Sequence, residues 1–94
     1  MPHRGNCAIV VRRPSSWKMF LRSVNVYIDG VRAGKVSNGR AVAFDVAAGT
    51  HAVDIRLQWI KTKPLEVEVG PGETVLVECR TEWSPVEMSL SIRR

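Results

Sequence analysis

Ninety-four residues, 45% apolar and 24% charged, suffice for one domain with a single core and leave nothing for a second. No apolar run approaches the ~20 residues of a bilayer-spanning helix, and Cys7 to Val11 is too short for a signal-peptide core. The expected location is therefore cytoplasmic, or the envelope if the natural chain is longer. The charge of +5 is uneven, because residues 1–40 carry eight Arg/Lys against one acid whereas residues 41–94 carry six against eight.

Asn6 to Arg13 is apolar on both parities, as suits a first strand covered on both sides or paired near the middle of a sheet. Pro14-Ser15-Ser16 ends it. Trp17-Lys18-Met19-Phe20-Leu21-Arg22 fits no alternation, and reads either as a lid over one end of the core or as an exposed anchor for a partner or membrane surface. Strands then follow at roughly 23–29, 31–37, 40–46 and 51–59. Asp29-Gly30 and Asn38-Gly39 mark hairpins, since Asp, Asn and Gly tolerate the positive φ of tight turns.

Between the turns, apolar residues recur at every second position: Val24, Val26, Ile28; Val42, Phe44, Val46; Val53, Ile55, Leu57, Trp59. Each set belongs to one face of a strand, with Asn25, Asp45, Asp54, Arg56 and Gln58 on the other. Phe44, Ile55, Leu57 and Val77 are expected in the core. Pro64 lies at the start or edge of the next strand because it cannot donate to a ladder. Leu65, Val67 and Val69 alternate next, Gly70-Pro71-Gly72 turns the chain, and Thr74 to Arg80 is a further strand with Val75, Val77 and Cys79 facing in.

In the tail, Val86, Met88, Leu90 and Ile92 alternate with Glu87, Ser89 and Ser91, which predicts an eighth strand. With no helix pattern of useful length, turn signals at this spacing argue for an all-β fold. The expectation is one domain over 1–94, an antiparallel β-sandwich of seven or eight strands. Two cysteines are too few for a disulfide-built scaffold. They read as buried thiols acting as small apolar groups, or as a Cys7–Cys79 bridge between sheets.

V-Y-I-D-G-V-R-A-G-K-V from Val26, F-D-V-A-A-G-T-H-A-V-D-I from Phe44 and K-P-L-E-V-E-V-G-P-G-E-T-V from Lys63 carry a resemblance. Over residues 8–80 the chain resembles the PEGA-like and carboxypeptidase-regulatory-like β-sandwich modules, in which a strand ends in Asp-Gly and a Gly turn precedes a His. The resemblance implies an immunoglobulin-like, non-enzymatic module of the kind that serves larger bacterial envelope proteins in interactions. Residues 81–94 lie outside it and add a C-terminal strand.

Signals for chemistry are weak. His51 shares parity with Val53 and Ile55, and Asp54 has the opposite parity, so His51 reads as a structural side chain and not as the base of a triad. His3 lies near the terminus. No C-x-x-C or H-x-x-x-H spacing suggests a metal, the positions after Asp29 that a calcium loop would need are Val31, Ala33 and Lys35, and no Gly-rich phosphate loop occurs. No enzyme and no cofactor is expected.

Two partner readings remain. Arg12, Arg13, Trp17, Lys18, Arg22 and Arg40, with Arg32, Lys35 and Tyr27 beside them, would give a basic face for nucleic acid or an anionic surface. Alternatively, Val86, Glu87, Met88, Ser89, Leu90 and Ser91 form an edge strand guarded by one mid-strand charge. That strand pairs with a second copy or a protein partner, or else merely completes the sandwich. The expected function is a non-catalytic interaction module, protein-binding or self-associating.

Overall fold

The computed structural model describes residues 7–14, 23–57, 60–82 and 87–93. Nine strands follow one another with no helix among these residues: β1 (Ala8–Arg12), β2 (Val24–Ile28), β3 (Val31–Val36), β4 (Ala41–Asp45), β5 (Gly49–Leu57), β6 (Ile60–Lys61), β7 (Leu65–Val69), β8 (Thr74–Glu82) and β9 (Glu87–Arg93). They form two sheets, one ordered β4-β1-β8-β9 and the other β3-β2-β5-β6, with β7 also paired to β5. The fold is all-β, as the alternation predicts. Trp17, Lys18, Arg22, Gln58, Trp59 and Val86 lie outside the described residues.

One pairing departs from the expected antiparallel order. β1 runs parallel to β8, with Ile9 beside Val75 and Val11 beside Val77. A parallel pair needs a long crossover between its strands. Here the crossover is the whole run from β2 to β7, which visits the other sheet twice with β4 in between, and the chain returns at the starting end of β1, where the Ala8 N–H donates to the Glu73 carbonyl. β1 therefore lies between β4 and β8, with Ile9 and Val11 buried on its inner face and Ala8 and Val10 half-buried on the other.

The facing alternating sets close one core. Ile9, Val11, Val75, Val77 and Cys79 of the first sheet are buried against Val24, Val26, Val36, Val53, Ile55, Leu57, Val67 and Val69 of the second. Phe44 is only half-buried, packed against this cluster from the rim. Its ring lies so close to Gly34 that a Cβ there would come within 2.9 Å of Phe44 Cε1. Gly34 thus lets an aromatic ring on β4 close against β3, a strand of the opposite sheet.

The two hairpin signals have different outcomes. Asp29 (φ 54°) and Gly30 (φ 82°) both take positive φ, as a type I′ hairpin turn requires, and join β2 to β3 within one sheet. At Asn38-Gly39 only Gly39 has positive φ (74°), and the Arg40 N–H bonds the Ser37 carbonyl. This turn carries the chain out of one sheet and into the other. Pro71-Gly72 makes a similar transfer from β7 to β8, with Gly72 at φ 74° and Glu73 N–H bonded to Gly70 O.

β5 is described as far as Leu57, and β6 pairs antiparallel with Arg56 and Leu57. β7 pairs with Gly49 to Val53, so Asp54 and Ile55 face a gap on this side. Thr62 fills it. Its backbone N–H donates to Ile55 O at 3.0 Å, and its Oγ1 accepts from Ile55 N at 3.0 Å. The hydroxyl acts as a stand-in for a missing ladder carbonyl, and Pro64 needs no donor where the ladder is interrupted. Thr62→Val keeps the shape and strands the buried Ile55 N–H, so it is expected to cost about 1–3 kcal/mol in urea unfolding. A shift within a few tenths would show the hydroxyl to be dispensable.

Candidate binding surfaces

Among the described residues, the basic side chains of the N-terminal half do not share one face. Arg12 points outward from β1, and its Nη1 lies 3.4 Å from Glu78 Oε2; the other oxygen of Glu78 lies 3.4 Å from Arg80 Nε. Glu78 is itself buried (6% exposed), so the two half-exposed arginines flank a carboxylate that is shielded from water. Arg13, expected on the same surface, points the other way. It is 1% exposed, its Nη1 donates to Val36 O at 3.4 Å, and burial lowers its pKa. Arg13 has the parity of Ile9 and Val11, so the strand that buries them carries it inward as well.

Arg40 is exposed in the corner turn, where its carbonyl accepts from Arg13 N. Arg32 and Lys35 belong to β3, in the other sheet. Both cysteines are buried and unbridged, and burial pushes the Cys79 thiol up to about 11.

His51 is held at both ring nitrogens. Its Nδ1 lies 2.7 Å from Asp29 Oδ2, and its Nε2 lies 2.7 Å from Ala47 O. A carbonyl and a carboxylate can only accept here, so the arrangement suits an imidazolium that donates twice. The Ala47 carbonyl and then Asp29 raise the His51 pKa. In return His51, and then the Ala52 N–H on Oδ1, lower that of Asp29. The acid that sequence parity denied to His51 comes from the β2–β3 turn instead of from β5. With both nitrogens engaged, the ring ties two turns to the start of β5 and has no open nitrogen for proton abstraction.

A raised histidine pKa contributes stability that is present below the unfolded value of 6.5 and lost as pH rises through the folded pKa. The lowered Asp29 pKa contributes stability that is present above 3.8 and lost as pH falls through its folded value. His51→Gln should therefore lower the melting temperature most near pH 5–6 and less at alkaline pH. An equal deficit at both would show that the charge on His51 is immaterial.

The outer face of the five-stranded sheet carries a second cluster. Asp54 is on the side away from the core yet only 3% exposed, and its Oδ2 accepts from Arg56 Nε at 2.7 Å. The Arg56 guanidinium carbon lies 3.9 Å from the centroid of the Tyr27 ring, a cation–π contact. Register places Lys35, Asn25, Arg56 and Lys61 in one row across four strands, and Arg32, Tyr27 and Asp54 in the next. Arg32 Nε donates to Asn25 Oδ1 at 3.2 Å.

Arg32 and Lys35 are three residues apart and would face opposite sides of a regular strand. A bulge shifts the register between Val26 and Tyr27, leaving Ala33 as the extra residue and turning both cations outward. The other end of this face is acidic, with Glu66 and Glu68 beside Ala52 and Thr50.

The chain matches no family model, no curated protein and no solved structure.

Of the predicted tail strand, the described part runs from Glu87 to Arg93, and among the described residues it lies at an edge of the four-stranded sheet with β8 as its neighbour. Within it Glu87 stands opposite Glu82, Met88 opposite Thr81, Ser89 opposite Arg80 and Leu90 opposite Cys79. Ser91, opposite Glu78, is exposed, and Ile92 packs against the core. A hollow of about 480 Å³ opens elsewhere, between Ala48-Gly49 and the Gly70-Pro71 turn, with Glu68 and Glu73 in its wall. Among the described residues no three His, Cys, Asp or Glu side chains converge on a metal-sized site, and no helix is long and apolar enough to cross a membrane.

Proposed function

We propose that this chain is a non-catalytic interaction module, an immunoglobulin-like sandwich of the PEGA-like kind, that associates with a second copy of itself through β9. The observation that supports this reading is the place of β9. It is a seven-residue strand at the edge of a sheet, paired with β8 along one side. An edge of this length offers a row of backbone donors and acceptors to another strand. Association of two β9 strands about a two-fold axis would continue one sheet across both copies, the self-complementary arrangement that closes without further growth.

Sedimentation of the full chain from low to high micromolar concentration tests the reading. A monomer–dimer equilibrium is expected, and Ser91→Lys, which puts a charge at an exposed edge position, should shift it towards monomer with little change in melting temperature. A chain that stays monomeric at high micromolar concentration would refute self-pairing.

A further inference from the structure

We propose that the outer face of the five-stranded sheet binds single-stranded nucleic acid, with Lys35, Lys61 and Arg32 on phosphates and Arg56 under a base. This surface is on the opposite sheet from β9 and does not depend on the self-association proposed above.

Lys35, Arg32 and Lys61 are exposed, and Arg56 adds a fourth cation between them. The acid within these rows, Asp54, is buried and hydrogen-bonded to Arg56. The basic end of the face therefore carries a surplus of positive charge, while Glu66 and Glu68 leave the opposite end negative. A polyanion is attracted to one end and repelled from the other, which favours a path along the row of Lys35, Asn25, Arg56 and Lys61. With strands about 4.8 Å apart the row spans roughly 14 Å, enough for roughly two to four successive phosphates.

Charge alone would serve any polyanion, and Arg56 narrows the choice. Its guanidinium is held twice, over the Tyr27 ring at 3.9 Å and through Nε to Asp54 at 2.7 Å, while about a third of the side chain (34%) remains exposed. A planar cation fixed in this way is pre-organised for a second flat group, and nucleobases stack on guanidinium planes as they do on aromatic rings. An acidic peptide has no comparable use for the stack. The base readout implied is weak, since every base has a π-face, so binding should depend little on sequence.

Anisotropy with a labelled twelve-nucleotide oligothymidine, at ~50 mM salt and upwards, tests the proposal on the full chain. The expected result is binding that weakens with salt, with Lys35→Ala and Lys61→Ala each reducing the log–log salt slope by about 0.7. Arg56→Lys keeps the charge and removes the plane, so it should weaken binding about five- to hundredfold with the slope unchanged. Its melting temperature is measured alongside, and the two lysine variants, at exposed positions, carry the test if Arg56→Lys fails to fold. Arg12→Ala and Arg40→Ala, on other surfaces, should leave affinity within about twofold.

No binding at the lowest salt overturns the proposal. So does binding that survives all three platform variants, or that falls with Arg12 and Arg40 instead. Retention of an oligoglutamate peptide or of phosphatidylserine vesicles in preference to the oligonucleotide would also overturn it, and would assign the face to a protein or a membrane.

Discussion

Ile55→Ala is expected to destabilise the fold by about 2–5 kcal/mol, as large-to-small changes in a packed interior do. Ile55 is fully buried in the second half of β5, beside Val26, and its backbone is anchored on the far side by Thr62. Neighbours tied into ladders on both sides have little freedom to close the space left behind, which argues for the upper part of that range. Domains of this size hold about 5–15 kcal/mol in all, so the change removes a large share. Urea midpoints against Glu66→Ala, an exposed position on the neighbouring strand β7, provide the measure. Equal shifts for the two variants would mean that the face assignment is wrong.

A chain ending at Arg80 should lose cooperative unfolding altogether, or melt far below the full chain. The deletion removes the end of β8 and all of β9, and with them a ladder that reaches from Leu76–Arg93 to Glu82–Glu87. Ile92 packs against the core, and Val77 and Cys79, its neighbours in the same sheet, are fully buried in the full chain. Stripping an edge strand with an inward-facing apolar side chain uncovers the core itself. Circular dichroism melts decide the matter: a truncated chain that melts within a few degrees of the full one would make β9 an appendage.

The core and most strands were legible because they follow from local periodicity. Val24 and Val26, Val53 to Leu57 and Val75 to Cys79 are buried where alternation places them. Arg13 was legible in the same way, since it continues the parity of Ile9 and Val11, but reading it by charge put it on a surface. Asp29-Gly30 behaved as its dipeptide predicts. Asn38-Gly39 carries almost the same signal and turns a corner between sheets, because a dipeptide constrains φ and leaves open which strand the chain meets next. Thr62 gave no signal, as one hydroxyl completing a ladder has no period.

The outer-face cluster was hidden for a more specific reason. Its members come from β2, β3, β5 and β6 and meet only through register, and the bulge at Ala33 reverses the face on which half of β3 presents its side chains. Asp29 likewise reaches His51 from across the β2–β5 ladder. Such pairings depend on separations that a periodicity scan does not see.

The position of β1 also affects how the chain reaches its native state. β1 is flanked by β4 and β8, and the Arg12–Glu78 contact across the parallel pair joins residues 66 apart. The β2–β3 hairpin can close as soon as it leaves the ribosome, but β1 must wait for the return of β8 before its second side is covered. Until then Ile9 and Val11 lie on a strand with an open edge, a hazard for mispairing with neighbouring nascent chains. Loop closure over such distances precedes the contacts that reward it, which places folding in the millisecond-to-second range of β-rich domains.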